Sequence, residues 1–350
     1  MGIFGQNEIL GIDIGTTSIK IAELKIRKEK IELSNYGILE KYGHLERIND
    51  ALQTMNFKLL EENTALLLKQ LMTETKIKVK NSFIALPSFS GFSVLVEFPL
   101  MTDKELSQAI KFQASQYIPM TLQEMTLDWQ VEKRTEDKIF VLLIAIPTDI
   151  IQRYVKTAEL SKLNLKGLEL ENIALAHLFS KKEKNPFVLV DIGGRASSIS
   201  VIDNGILTMT RNLDTAGGDI TQVIASALGI SPFRAEEIKK TYGLNIESRG
   251  EIKLISLIVP LLEVIKREIE KAINSFYLKT KKRVEKVILV GGGANLKGLD
   301  EYYSKQLLMP VVLGNPFNLG LMSYNPKLAP ILAEIGTNLA TACAVALRGV

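Results

Sequence analysis

Apolar positions along the first forty residues alternate or run together rather than recur at helical spacing. Glu8 to Ile14 is predicted as a strand, and Ser18 to Arg27 with Ile31 to Leu39 as a hairpin around the charged turn Lys28 to Lys30. From His44 to Thr75 leucines fall at helical spacing, and strand pattern returns at Ser82 to Pro87 and Ser93 to Phe98. Thr102 and Glu105 have capping-box spacing, so a helix should open there and close before Pro119. Strands at Met125 to Val131 and Ile139 to Pro147 and a helix from Thr148 to Leu163 complete a β-β-α-β-β-α block, about residues 81–165, with the look of an inserted subdomain.

After the polar break Lys181 to Pro186 the chain restarts with the apolar strand Phe187 to Ile192. Ile199 to Asp203 and Ile206 to Arg211 should pair across Asn204-Gly205, two residues that tolerate the left-handed backbone of a tight hairpin. Helices are expected at Asp219 to Leu228, Pro232 to Tyr242 and about Leu254 to Thr280. A strand at Lys286 to Val290 then meets a glycine run, and an apolar helix covers about Ala333 to Leu347.

One stretch returns. LGIDIGTTSIKI from Leu10 comes back as LVDIGGRASSISV from Leu189, each an apolar strand, an Asp-x-Gly turn, small hydroxyl residues and a second strand. A repeat separated by about half the chain predicts two related lobes, and two such loops facing each other would make one site.

Composition narrows the class. A chain of 350 residues can bury a large core, and 46% hydrophobic with 23% charged residues is ordinary for a folded globular protein. The net charge of +4 is spread along the chain, which argues against extensive non-specific nucleic-acid binding. Cys343 is the only cysteine, so no internal disulfide can form. The start MGIFGQNEIL has neither the basic residues nor the long apolar stretch of a signal peptide, and the runs Phe140 to Ile146 and Ile255 to Ile265 are too short or too charged to span a bilayer.

The repeated loops have the composition of a phosphate and metal site. A carboxylate at a strand end can hold Mg²⁺ directly or through water, glycine lets backbone approach phosphate, and the amides and hydroxyls that follow donate to phosphate oxygens. Asp13, Gly15, Thr16, Thr17 and Ser18 supply this set in the first half, with Asp191, Gly193, Gly194, Ser197 and Ser198 in the second. VILVGGGANLKG from Val287 adds Gly291, Gly292 and Gly293, against which a flat ring or ribose could lie, edged by Asn295 or Lys297. That run departs from a Walker A loop in its glycine spacing and in Gly298 after Lys297.

In this order the three loops resemble the phosphate-1, phosphate-2 and adenosine motifs of the actin, sugar kinase and heat-shock chaperone superfamily. ENIALA from Glu171 is similar to its first connecting helix, Ala333 to Ala346 to its second, and Gly217-Gly218-Asp219 to its double-glycine segment. AEEIKK from Ala235 resembles the helix whose charged side chains touch ribose and adenine. FPLMTDKELSQAIKFQASQYIP from Phe98, the placing of the insert and the tail Ala346-Leu347-Arg348-Gly349 are similar to the PilM family of pilus assembly proteins, within a branch that also holds FtsA.

The resemblance implies an α/β, two-lobed actin-like ATPase fold of duplicated ribonuclease H-like domains. It divides the chain into a first lobe at 1–185 with an insert at about 81–165, a second lobe at 186–332 with a helical part at about 230–285, and a returning helix at 333–350. It implies ATP and Mg²⁺, with Asp13 and Asp191 toward the metal and Glu171 and Asp191 as catalytic candidates. Nucleotide contacts would come from Gly15, Thr16, Thr17, Ser18, Lys20, Gly193, Gly194, Ser197, Gly217, Gly218, Asp219, Glu236, Lys239, Lys240, Gly291, Gly292, Gly293 and Asn295. Glu169 competes with Glu171 for orienting a water, and Arg195 could pair with a γ-phosphate or point outward.

It further implies a cytoplasmic protein that reaches the inner membrane through a partner, holding the N-terminal tail of a PilN-like bitopic protein. Glu8 to Thr17 and the block around Phe112, Tyr117 and Ile118 would border that groove. Turnover of ATP, if any, would be slow. A small-molecule kinase and an FtsA-like filament-forming protein are the alternative readings.

Overall fold

The computed structural model describes residues 7–27, 30–40, 57–118, 121–244 and 254–349. The helical pattern from His44 and the turn at Lys28 therefore lie partly outside the described residues.

Strands β1 (Asn7–Ile14), β2 (Ser18–Arg27) and β3 (Lys30–Glu40) form the expected antiparallel meander. β1 also pairs in parallel with β4 (Asn81–Leu86), β4 with β8 (Asn164–Leu170), and a short β14 (Met322–Tyr324) borders β3. The second sheet has the same plan: β9 (Phe187–Ile192), β10 (Ser197–Asp203) and β11 (Ile206–Leu213) are antiparallel, and β9 pairs in parallel with β12 (Lys286–Val290), itself parallel to β13 (Val311–Leu313). The orders β3-β2-β1-β4-β8 and β11-β10-β9-β12-β13 match strand for strand. The sequence repeat is thus a repeat of topology, and the fold is the two-lobed one expected. Asn204 and Gly205 both take positive φ in the hairpin between β10 and β11.

The third sheet, in the order β5-β7-β6, is formed by β5 (Phe92–Pro99), β7 (Lys138–Pro147) and β6 (Met125–Arg134), all antiparallel. Its central strand is apolar after Lys138 because both faces are largely buried. Ile139, Val141, Leu143 and Ala145 meet helix α2 (Asp103–Tyr117) through Leu106, Ile110 and Ala114, whereas Leu142 and Ile146 join the core of the main body. The Thr102–Glu105 capping box that opens α2 is present in both directions.

Two expectations need correction here. β4 belongs to the first sheet, and α3 (Thr148–Leu160) packs on α1 (Phe57–Glu74) and β8, so the insert proper is only the three-stranded sheet with α2. A short apolar strand carries no mark of which neighbour will pair with it. β8 itself was not expected, its pattern being broken by Lys166 and by Gly167, where a Cβ would press on the Phe83 ring. β13, β14 and α8 (Leu299–Leu307) were also not expected.

Two helices join the lobes. α4 (Glu171–Ser180) buries Ile173, Leu175, Leu178 and Phe179 against Leu86 and Leu170 of the first sheet and Leu189, Ile288 and Val290 of the second. The same cluster holds Ala340, Ala344 and Val345 of α9 (Ala329–Ala346). α9 lies so close on β1 that a Cβ at Gly11 would fall on the Ala342 backbone oxygen. By length and composition the helical stretch containing α9 could cross a membrane, but its apolar surface is spent in the cores of both lobes. α5 (Gly217–Leu228), α6 (Pro232–Tyr242), α7 (Leu254–Thr280) and α8 pack with the second sheet in a separate core.

Because α4 is core to both lobes, Leu175→Ala should cost about 2–5 kcal/mol. A urea titration followed by circular dichroism measures it. A cost under about 1 kcal/mol would mean that the junction is not a close-packed core.

Candidate functional site

The repeat sets two carboxylates at matching places. Asp13 and Asp191 each precede the last residue of their strand, and their cross-strand partners are Lys20 and Ser198. The turns that follow face each other across the lobes, and a Cβ on Gly194 would run into the Thr17 side chain. β12 brings the third loop in from the side, since Val290 pairs with Asp191. Gly291 there has φ +83°, and a Cβ on it would also fall on the Asp191 carboxylate, so glycine is required twice over.

The charges gathered at this point do not balance. Lys20 Nζ lies 2.8 Å from Asp13 Oδ2, with both side chains nearly closed off from solvent. Burial opposes the ammonium, but the charge and hydrogen bond of Asp13, with Asp191 and Glu171 behind, hold Lys20 above its ordinary value. Asp191 is pushed up to about 6 by burial and by Asp13, against Lys20. Glu171, at the first turn of α4, is raised well above the carboxylate range by burial, then by Asp191 and Asp13, although Lys20 and the Ser88 amide at 3.2 Å work the other way. Three carboxylates share one ammonium. Such a site takes up protons when empty and offers its charge to a cation.

Two adjoining spaces open from this cluster. One, of about 770 Å³, is lined by Asp13, Gly15, Thr16, Thr17, Ser18, Lys20, Glu171, Asp191, Gly193, Gly194, Ser197, Gly291 and Gly292. The other, of about 690 Å³, is lined by Gly217, Gly218, Glu236, Lys239, Lys240 and Gly293, and shares Thr17, Ser18, Lys20, Gly193, Gly194, Gly292 and Asn338 with the first. Lys239 Nζ bonds the Gly217 carbonyl at 2.9 Å and lies 2.5 Å from Glu236, so α6 is tied to the start of α5. Burial lowers the Lys239 ammonium, against the pull of Glu236. Arg195 is exposed and borders the first space.

Several expected residues stand elsewhere. Asp219 lines neither space; its carboxylate accepts the Ala216 amide at 2.8 Å and caps α5. Asn295 likewise turns to α9, donating to Asn338 at 2.7 Å and accepting from Thr337 at 2.6 Å. Of the two competing glutamates only Glu171 borders a space, for Glu169 takes Arg348 at 3.0 Å and His177 at 3.5 Å. On the expected partner groove, Ile118 is buried in the core of the insert, and β1 is paired on both edges with residues 9–13 buried, leaving Thr16, Phe112 and Tyr117 as the exposed members.

Pro87, Ser88, Phe89, Asn212, Asn338 and Thr341 border the first space without having been singled out. Thr337, Asn338 and Thr341 are polar positions one helical turn apart inside an apolar helix, a signal that was there to be read. Ser88 and Asn212 carry no such mark.

A family model described as type IV pilus assembly protein PilM matches residues 11–350. The fold superposes on a solved chain of a PilM-PilN type IV pilus biogenesis complex with TM-score 0.84, at 23% identity and covering 99% of each chain. Cell division protein FtsA of Bacillus subtilis is 42% identical over 84 residues, which is 22% of this chain and only 19% of that protein. FtsA of Buchnera aphidicola is 22% identical over 379 aligned positions, covering 94% of this chain and 89% of the relative.

Raised carboxylates weaken the ligand-free fold once they must ionise. For Asp191 the cost is absent below its unfolded value near 4, grows as pH rises, and is complete above about 6. Asp191→Asn should therefore melt higher than the parent at pH 7.5 without ligand, by on the order of 1–3 kcal/mol, the gain shrinking as pH falls from 6 to 4. Scanning calorimetry across that range checks it; a gain independent of pH would contradict the charge assignment.

Proposed function

We propose that this chain, which belongs to the type IV pilus assembly protein PilM family, is an ATP-binding adaptor that grips the tail of a PilN-like membrane protein in a nucleotide-responsive way. The observation that carries the nucleotide half is the pair of opposed Asp-x-Gly loops around Lys20, with glycine-lined space on either side. In this reading the two lobes close on the ligand from both sides.

The donor set suits Mg²⁺ delivered with a polyphosphate. Among the described residues no group of three or more His, Cys, Asp or Glu is arranged to hold a metal ion by itself. Mg²⁺ commonly takes one or two carboxylates and fills its octahedron with water and phosphate oxygens, which Asp13 and Asp191 would permit. Held by Asp13 and Asp191, such an ion would supply positive charge to offset that of the phosphates.

The chain's own groups divide the remaining work. Lys20 would share its ammonium between Asp13 and phosphate, while backbone amides at Thr16 to Ser18 and at Gly194 would donate to phosphate oxygens. Glu236, Lys239 and Lys240 would face ribose and base, with Gly217, Gly218 and Gly293 giving a flat backbone surface. Glu171 lines the space where a water could stand, but burial and the neighbouring Asp191 and Asp13 carboxylates favour its neutral form, which makes it a poor proton acceptor, so turnover would be slow. Binding, rather than product formation, is the use this site serves best.

The partner half rests on family membership and on the solved relative, a chain of a PilM-PilN complex. Phe112, 83% exposed on α2, and Tyr117 at the end of that helix offer an apolar surface on the insert for a tail to meet. A protein of this kind would work in the cytoplasm at the inner membrane, held there by its partner.

Isothermal titration tests both halves, with Mg·ATP and with an N-terminal peptide of a PilN-like protein. Binding of each ligand is expected, with the peptide affinity differing between nucleotide-free and Mg·ATP-loaded protein; failure of the peptide to bind in either state removes the adaptor function. Asp191→Ala should weaken Mg²⁺-dependent ATP binding by about tenfold or more, since one carboxylate and its charge are lost from the cation's surroundings. Unchanged affinity would refute the metal assignment.

A further inference from the structure

We propose that Asn172 is a positioning residue that ties the nucleotide cleft to the inserted three-stranded sheet, so that a change at Glu171 is transmitted to β5. The proposal rests on the nucleotide reading above and adds the route by which occupancy would be felt outside the cleft.

Asn172 follows Glu171 in the first turn of α4 and is 1% exposed. Its backbone amide donates to Ser88 Oγ at 3.1 Å, while the Ser88 amide donates to Glu171 at 3.2 Å, so the two residues clasp the same serine from opposite ends. Its side-chain amide donates to Ser93 Oγ of β5 at 3.2 Å and to Thr210 Oγ1 of β11 at 2.9 Å. Thr210 is bonded in turn to Ser200 at 3.2 Å, and Asn212 of the same strand donates to the Ser88 carbonyl at 3.3 Å. One side chain therefore bonds the insert and the second lobe, from a helix core to both lobes.

Two physical features make this junction responsive. The Asn172 amide bond to Ser88 is buried and the others are partly buried, where losing one costs more than at the surface, so the elements should move together rather than independently. The Asn172 Oδ1 is closed off from solvent and has no hydrogen-bond partner, an idle acceptor that makes this arrangement less than fully satisfied. Burying an acceptor without a partner disfavours the state that contains it, so a modest shift of β5 or β11 that satisfied this oxygen would be favoured. Asn172 touches neither cleft, and its influence on nucleotide would be exerted only through Ser88 and Glu171.

Hydrogen–deuterium exchange of the full chain, with and without Mg·ATP, reads the coupling at β5 and β11. The parent protein should change protection in β5 on loading, whereas Asn172→Ala should bind Mg·ATP within a few-fold of the parent and lose most of that change, a loss of coupling of about fivefold or more. Ser93→Ala, which removes only the β5 end of the link and sits outside the cleft, should do the same at unchanged melting temperature, and Ser93→Thr should restore the response. Parent protein that binds Mg·ATP without any change in β5, or Ser93→Ala that keeps the full change, overturns the proposal. Parent protein that fails to bind Mg·ATP refutes the nucleotide reading instead.

Discussion

Holding Asp13, Asp191 and Glu171 around the single ammonium of Lys20 is the constraint that the architecture answers. Like charges brought out of water repel and lose hydration, so they persist only where rigid elements bring them together. Here each carboxylate is delivered by a different one: Asp13 by β1, Asp191 by β9 and Glu171 by α4. All three elements are set in place by large apolar cores that contain no charge of their own. The fold supplies stability elsewhere and concentrates its unfavourable electrostatics between the lobes.

The duplication makes that concentration geometrically simple. An Asp one residue before a strand end, followed by a glycine turn, projects its carboxylate past the sheet. Two copies of the unit face each other once α4 and α9 hold the lobes together. The cost of the arrangement is visible in the raised pKa values of Glu171 and Asp191 and in the close approaches that allow no side chain at Gly194 or Gly291. A ligand bringing positive charge and phosphate would relieve the first and exploit the second.

Around the cleft, polar side chains are used as fasteners as often as contacts. Asp219 and Asn295 belong to motifs that resemble nucleotide-binding segments, yet both are spent on helix starts and helix–loop ties. Lys239 is engaged with Gly217, Thr221 and Glu236. Sequence motifs here mark a neighbourhood. Which of its members face the open space is settled by the packing of α5, α6 and α9.

What the sequence determined by itself was local and periodic: the repeated strand–turn–strand units, the capping box at Thr102, the hairpin at Asn204-Gly205 and the glycine loop after β12. Each is decided by residues within a few positions of one another, because backbone sterics, capping and alternation act over that range. Only the tertiary structure decided that β4 joins β1 rather than the insert, that Ile118 is core while Phe112 is exposed, and that Glu171 rather than Glu169 meets the cleft. It also brought Ser88, Asn212 and Asn338 to the same space from three distant segments. Strand partners and helix faces are chosen by which apolar surfaces can be buried together, and that choice belongs to the whole chain rather than to any window of it.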